Sequence, residues 1–257
     1  MSIHLHAMIG KIAQIFRKSE KLIDPVDLSV LRVDIHSHFI PGIDDGAQNM
    51  EESLELLREM KALGFSKVIT TPHVMSDYYR NTPEIIISGR DGLRKAAEAE
   101  GIEIEIDCAA EYYLDADLMG KIKAKELLTF GDNYVLFELP FLSEPPNLAE
   151  VVFEMQLAGY KPVLAHPERY AFWHMQFDKY QQIFDKGVIL QLNINSVTGH
   201  YSPEVKAISK KLIDAQLIGL LGSDCHHIRH VGLMKQACKH QLLHQLIHSG
   251  QLLNAKL

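Results

Sequence analysis

Nine residues in this chain of 257 carry the side chains of metal ligands and fall where strands are expected to end. His36 and His38 close the first apolar run, His73 the second, Glu111 the third, Glu138 the fourth and His166 the fifth. Asp224 and His226 follow the seventh run, and Asp45 lies in the loop after the first. Residues i and i+2 of a strand share a face, so the imidazoles at 36 and 38 point the same way. Five histidines with four carboxylates are the ligand mix of Mn, Fe or Zn. A structural zinc site needs only four ligands and usually employs thiolates. Nine ligands without a cysteine among them favour two or three ions with open positions, and hence catalysis. Paired ions can present a hydroxide nucleophile and clamp phosphate oxygens during in-line displacement. Arg169, three residues past His166, can add a bidentate phosphate contact. A lone histidine at a strand end is more often a satisfied polar group; recurrence at six strand ends carries the argument.

The elements that position these residues read as alternating strands and helices. Aliphatic and β-branched runs occur at Arg32–His38, Lys67–Thr71, Ile104–Ala110, Tyr134–Leu139, Pro162–Ala165, Val188–Asn193 and Ile218–Gly222. Most are continuously apolar, as in strands buried on both faces of a parallel sheet. Asn49 is placed to cap a helix bearing Leu54, Leu57, Met60 and Leu63 and ending at Gly64. Thr82-Pro83 opens a helix reaching Gly101, Asn147 one ending at Gly159, and Ser202-Pro203 one reaching Gln216. The tail from Val231 is also helical in pattern. Seven strand–helix units without a linker predict a single α/β barrel, with a doubly wound open sheet as the alternative. In a parallel barrel all these strand ends share one rim, the rim that builds active sites.

Composition narrows the class. A formal charge of −7 disfavours a nucleic-acid partner, which would want a basic face. Three scattered cysteines, Cys108, Cys225 and Cys238, make no disulfide framework and point to a reducing, cytoplasmic setting. No apolar run is long enough for a membrane span, and no signal peptide is evident. Residues 1–31 read as an N-terminal extension, with Ile9, Ile12 and Phe16 at helical spacing; residues 32–257 read as the catalytic domain.

The motifs then carry a resemblance. Asp34-Ile35-His36-Ser37-His38, Thr71-Pro72-His73, Ala165-His166-Pro167-Glu168-Arg169 and Ser223-Asp224-Cys225-His226 resemble the successive motifs of the polymerase and histidinol phosphatase (PHP) superfamily. The stretches His36–Ala47, Phe137–Phe141 and Gly159–Arg169 are more closely similar to bacterial manganese-dependent protein-tyrosine phosphatases of capsule and exopolysaccharide operons. The resemblance covers residue 33 to the end. It implies a distorted (β/α)7 TIM-like barrel of PHP type with a trinuclear centre, Mn2+ favoured over Fe or Zn. By that analogy His36, His38, Glu111 and Asp224 hold one ion. Glu111 bridges to a second, held by Glu138 and His166. Asp45, rather than Asp44, joins His73 and His226 on a third. Arg169 binds phosphate, and Arg229 is the candidate for a second phosphate-binding arginine. The implied reaction is hydrolysis of phosphotyrosine by attack of a metal-bound hydroxide, on a substrate such as a tyrosine autokinase controlling capsule or exopolysaccharide synthesis.

Other chemistries are set aside on the residues themselves. No cysteine stands six positions before an arginine, as a thiolate phosphatase loop requires. Asp115-Ala116-Asp117 is followed by Met119 where an aspartyl phosphatase would place Thr or Val, so it reads as a polar helix start. No glycine-rich phosphate loop or nucleophile-elbow serine occurs. Cys225 is expected to pack. Tyr112 and Tyr113 are candidates for the pocket wall or the core. His227, His230, His240, His244 and His248 read as solvated or half-buried. The rival readings are a small-molecule phosphatase, such as one for histidinol phosphate, a proofreading nuclease, and an inactive metal-binding module.

Overall fold

The computed structural model describes residues 22–257, so the stripe of Ile9, Ile12 and Phe16 lies outside the described residues. Strands and helices alternate as the apolar runs predict. The strands are β1 (Val33–Asp34), β2 (Lys67–Thr70), β3 (His73–Val74), β4 (Glu105–Cys108), β5 (Glu111–Tyr113), β6 (Tyr134–Glu138), β7 (Lys161–Ala165), β8 (Ile189–Asn193) and β9 (Ile218–Gly222). The helices are α1 (Met50–Ala62), α2 (Pro83–Ala99), α3 (Leu118–Ala124), α4 (Leu148–Leu157), α5 (Asp178–Asp185), α6 (Pro203–Asp214), α7 (Ile228–Ala237) and α8 (Gln241–Ile247).

Local chemistry sets the helix starts. The side chains of Asn49, Thr82 and Ser202 accept from the backbone N–H of Glu52, Ile85 and Val205, satisfying donors the first turn leaves free. Pro83 and Pro203 occupy first-turn positions, where no N–H is needed. Asp115 accepts from the N–H of Asp117 and Leu118, so the Asp115–Asp117 pair opens α3.

The strands form two parallel sheets, ordered β1-β2-β4 and β3-β5-β6-β7-β8-β9. The seven expected strands thus run as nine shorter ones. The runs at 67–71 and 104–110 stop early, and the chain resumes as β3 and β5, which pair His73 with Glu111. Pro72 has no N–H to give, so the ladder breaks where Thr71-Pro72 faces Ala109-Ala110. The first strand is cut to two residues. Its continuation crosses to the far end of the other sheet: Ser37 bridges Cys225, and the N–H of Asp224 donates to the carbonyl of His36 at 2.8 Å.

Apolar packing follows the strand alternation. The outward residues Val135, Phe137, Leu164, Leu190 and Leu192 join the helices in the main core. A smaller cluster gathers inward residues of both sheets, among them Val33, Ile69, Leu136, Val163, Ala165 and Leu220. Val26, Leu28 and Leu31, ahead of β1, are buried in the main core. No helix among the described residues is long and apolar enough to cross a membrane.

Asn254 ties the first and last strands from below. Its amide donates to the carbonyls of Val33 and Leu221 at 3.1 and 2.7 Å, and its oxygen accepts from the N–H of Leu221 at 3.0 Å. Asn254→Ala would leave three buried backbone groups unpaired and is expected to destabilise the fold by about 2–4 kcal/mol. Denaturant titration tests this; an unchanged midpoint would show that the tie contributes nothing.

Candidate metal centre

The strand ends and following loops bring the nine residues into one cluster. Glu111, fully buried at the start of β5, lies at its middle. Its Oε2 is 3.2 Å from His36 Nε2, 3.6 Å from His38 Nε2 and 3.1 Å from His73 Nδ1. Its Oε1 is 3.1 Å from His166 Nε2. Asp224 Oδ1 stands 3.4 Å from His36 Nε2 and 3.6 Å from His38 Nε2. Glu138 Oε1 is 3.3 Å from His73 Nδ1. Asp45, exposed at the edge, holds Oδ1 at 3.5 Å from both His73 Nε2 and His226 Nε2.

These spacings fit donors around shared ions. Ligand atoms about 2.1 Å from one ion lie roughly 3.0–3.4 Å apart. His36 Nε2, His38 Nε2, His73 Nδ1 and Glu111 Oε2 are buried without a hydrogen-bond partner, although they face one another at such distances. Unpaired buried polar atoms are costly, and four converging on one point is the mark of a cation site. The donors group as His36, His38 and Asp224; His36, Glu111 and His166; His73, Glu111 and Glu138; and His38, Asp45, His73 and His226. Glu111 belongs to two groups, as a bridging carboxylate would.

Backbone geometry aims the ligands. His166 and Asp224 have φ of 34° and 49°, left-handed conformations uncommon outside glycine. Each turns the chain just after β7 or β9 and carries its side chain over the strand ends. Such strain costs on the order of 1–3 kcal/mol and is typical of functional sites. Gly46 is needed for the adjoining loop, since a Cβ there would lie 2.1 Å from the carbonyl oxygen of His38.

A further set of residues orients the ligands, and the sequence did not single out most of them. Asp44 is buried beneath Asp45; its Oδ2 accepts from His38 Nδ1 at 2.7 Å and from the N–H of His73 at 3.1 Å. Gln191 Oε1 accepts from His36 Nδ1 at 2.8 Å. Asn193 Nδ2 donates to Asp224 Oδ2 at 2.6 Å. The only sequence signal was Asp44 beside Asp45; β8 carries no ligand and offered none.

Arg169 sits at the edge of the cluster. It donates to Asp224 Oδ2 at 3.0 Å, and its guanidinium lies 4.9 Å from the Phe141 ring and 4.6 Å from the Tyr201 ring. Phe141 also stacks on His166, and Tyr79 on His73. These rings, with Tyr78 and Tyr113, line a cavity of about 380 Å³ whose floor is the cluster. Tyr112 is instead buried in the core. Arg229 is exposed at the start of α7, between His227 and His230, which line a depression beside the cluster with Asp45 and Arg169. Cys225 packs in the core, where burial pushes its thiol well up. His240 is buried, and its side chain accepts from the N–H of Leu242 at the start of α8.

Charge within the cluster is strongly coupled. Burial alone would lower His36, but Glu111 and Asp224 outweigh it and lift the imidazole to about 9. Burial likewise opposes the charged forms of His38 and His73, yet neighbouring carboxylates raise both. Glu111 and Asp224 resist their own burial because His36 and other cations hold them well below the usual range. A hydrogen bond from His226 brings Asp45 down to about 2.

Parallel strand ends converging on such a cluster define an α/β protein with a candidate metal site at its strand ends. The sequence profile of the family described as "Capsular polysaccharide synthesis, CpsB/CapC" matches residues 32–247, and the chain belongs to that family. The tyrosine-protein phosphatase YwqE of Bacillus subtilis (strain 168) is 31% identical over 198 residues, covering 77% of this chain and 78% of that protein. The tyrosine-protein phosphatase CpsB of Streptococcus pneumoniae is 26% identical over 202 residues, covering 76% and 83%. A solved structure described as YwqE from Bacillus subtilis and CpsB from Streptococcus pneumoniae, "unique metal-dependent tyrosine phosphatases", matches with a TM-score of 0.77 at 29% identity. The match covers 85% of this chain and 87% of that one. The lactonase Lmo2620 of Listeria monocytogenes shares the fold alone, at TM-score 0.51 and 11% identity over 85% of this chain and 89% of that one.

Protons and metal ions compete for the same nitrogen atoms. With its pKa held near 9, the His36 imidazole is charged at pH 7 in the ion-free protein, and nearby carboxylates shift His38 and His73 in the same direction. Loading stripped protein with Mn2+ at pH 7 is therefore expected to release protons, and affinity is expected to rise with pH toward 9. Calorimetry in buffers of different ionisation enthalpy measures this. Identical heats in all buffers would mean that the imidazoles are already neutral before the ions arrive.

Proposed function

We propose that this protein is a metal-dependent protein-tyrosine phosphatase using Mn2+. The observation that carries the reading is a cluster of five imidazoles and four carboxylates, with Arg169 at its edge, flooring a ring-lined cavity. His36, His38, Asp45, His73, Glu111, Glu138, His166, Asp224 and His226 are the proposed ligands. Two or three divalent ions held there would supply an acidified water and positive charge opposite the phosphoryl oxygens.

The chain's own groups do the rest. Arg169, backed by Asp224 and stacked between Phe141 and Tyr201, presents its remaining N–H donors to a phosphoryl oxygen. Tyr79, Tyr113 and Phe141 flank the leaving group, and flat rings suit an aryl ester. The departing tyrosine phenolate has an ordinary pKa of about 10, so strong general-acid help is not required. Exposed Tyr78, Phe141 and Leu142 give the mouth an apolar rim suited to a polypeptide rather than a small polar substrate.

The substrate inferred is a phosphotyrosine protein, in particular a tyrosine autokinase governing capsule or exopolysaccharide synthesis. The architecture inferred is a distorted (β/α)7 barrel. Two observations support it: the Ser37–Cys225 bridge across the seam, and the inner cluster shared by both sheets. The catalytic unit inferred spans residues 32–257, preceded in sequence by an extension over residues 1–31, of which Val26, Leu28 and Leu31 pack into its core. The three cysteines, buried and unpaired, suit the cytoplasm.

Chelator-stripped protein is expected to be inactive on a phosphotyrosine peptide and to regain phosphate release with Mn2+. Folded, Mn2+-loaded protein that ignores the peptide yet hydrolyses histidinol phosphate would replace this reading with a small-molecule phosphatase. Arg169→Ala is expected to lower kcat/KM by roughly 10²–10³, the usual scale for losing one charge-stabilising donor. Metal content should be retained; loss of metal in that variant would make Arg169 a structural residue.

A further inference from the structure

No residue of β8 enters a ligand group, yet its inward residues touch two proposed ligands from behind. Ile189, Gln191 and Asn193 share one face by strand alternation. Ile189 packs on the inner apolar cluster, while Gln191 and Asn193 rise above it, both fully buried. Three hydrogen bonds run in one direction. His36 Nδ1 donates to Gln191 Oε1 at 2.8 Å, Gln191 Nε2 to Asn193 Oδ1 at 2.9 Å, and Asn193 Nδ2 to Asp224 Oδ2 at 2.6 Å.

The direction is fixed at both ends. The backbone N–H of His166 can only donate, and it points at Gln191 Oε1 from 3.4 Å. That atom is therefore the amide oxygen, and the His36 nitrogen facing it must carry the proton. At the other end an ionised Asp224 can only accept, so Asn193 must turn its NH2 toward it. Neither amide can flip without setting donor against donor or acceptor against acceptor.

We propose that Gln191 and Asn193 form a two-amide relay that sets the tautomer of His36 and the position of Asp224, and so presets one metal position. The two ligands are joined on both sides. In front, His36 Nε2 and Asp224 Oδ1 stand 3.4 Å apart. Behind, the relay connects Nδ1 to Oδ2. Groups behind a ligand that fix its orientation commonly matter for metal affinity nearly as much as the ligand itself. Gly222 makes room for the arrangement: a Cβ there would lie 2.7 Å from His36 Cβ and 2.8 Å from Gln191 Nε2. Glu168 holds the strand end in place, its Oε1 accepting from the Asn193 N–H at 3.0 Å and from Ser196 Oγ at 2.6 Å.

The inference rests on the metal-centre reading, and calorimetric titration of the stripped full-length chain with Mn2+ separates the two. Gln191→Met fills similar space without a donor or acceptor and is expected to weaken the tightest Mn2+ site by about 10–100-fold. Asn193→Ala is expected to show a loss of the same order. The double variant should lose little more than either single, because both changes break one chain. Circular dichroism confirms that each variant is folded; should Gln191→Met fail to fold, Asn193→Ala carries the test. Wild-type Mn2+ affinity in a folded single variant, or fully additive losses, would overturn the relay. A wild-type chain that binds no Mn2+ would overturn the centre itself.

Discussion

A carboxylate with no exposed surface must be surrounded by donors or cations, and Glu111 is that carboxylate. Burying an unpaired charge costs far more than a domain can spare. Four imidazoles within 3.6 Å of its two oxygens meet the demand. Those imidazoles come from three separate stretches of chain, so satisfying Glu111 pulls together the ends of strands in both sheets. β5 starts at Glu111, and β3 pairs with it through His73. The break in the strands at Pro72 and Ala109-Ala110 is thus where the chain leaves one sheet and turns its ligands inward.

The same constraint explains why the interior beneath is apolar. The inner cluster of Val33, Ile69, Leu136, Val163 and Leu220 excludes water from below and gives the ligand layer a firm floor. Interactions among charges strengthen as water is removed. The centre is therefore wet only from its mouth, where Asp45 and Tyr78 are exposed. Ordered burial beneath and open solvent above give the cluster a direction, toward the cavity that Arg169, Tyr79 and Phe141 line.

The residues that gather in the cluster were legible in the sequence because their side-chain types are distinctive, and His36, His38, His73 and His166 recur at the ends of apolar runs. The helix starts at Asn49, Thr82 and Ser202 were legible for a similar reason, since capping is local chemistry. What escaped was long-range or subtractive. Gln191 meets His36 across 155 residues, and an amide in a strand announces no partner. Tyr201 and Phe141 matter only because Arg169 lies between them in space. The proline that divides the second strand was in plain view, but its effect depends on what faces it.

The two histidines of the first motif are backed by different chemistry, and the difference has a consequence. His38 is held through Nδ1 by the Asp44 carboxylate at 2.7 Å, whereas His36 is held through Nδ1 by a neutral amide. A carboxylate behind an imidazole makes its other nitrogen a stronger base, while an amide orients the ring without adding charge. On the His38 side, Asp44 also secures the loop through the N–H groups of Gly46 and His73. The cluster thus combines one imidazole backed by a charge, His38, with one backed by a neutral amide, His36, and both pairs are buried.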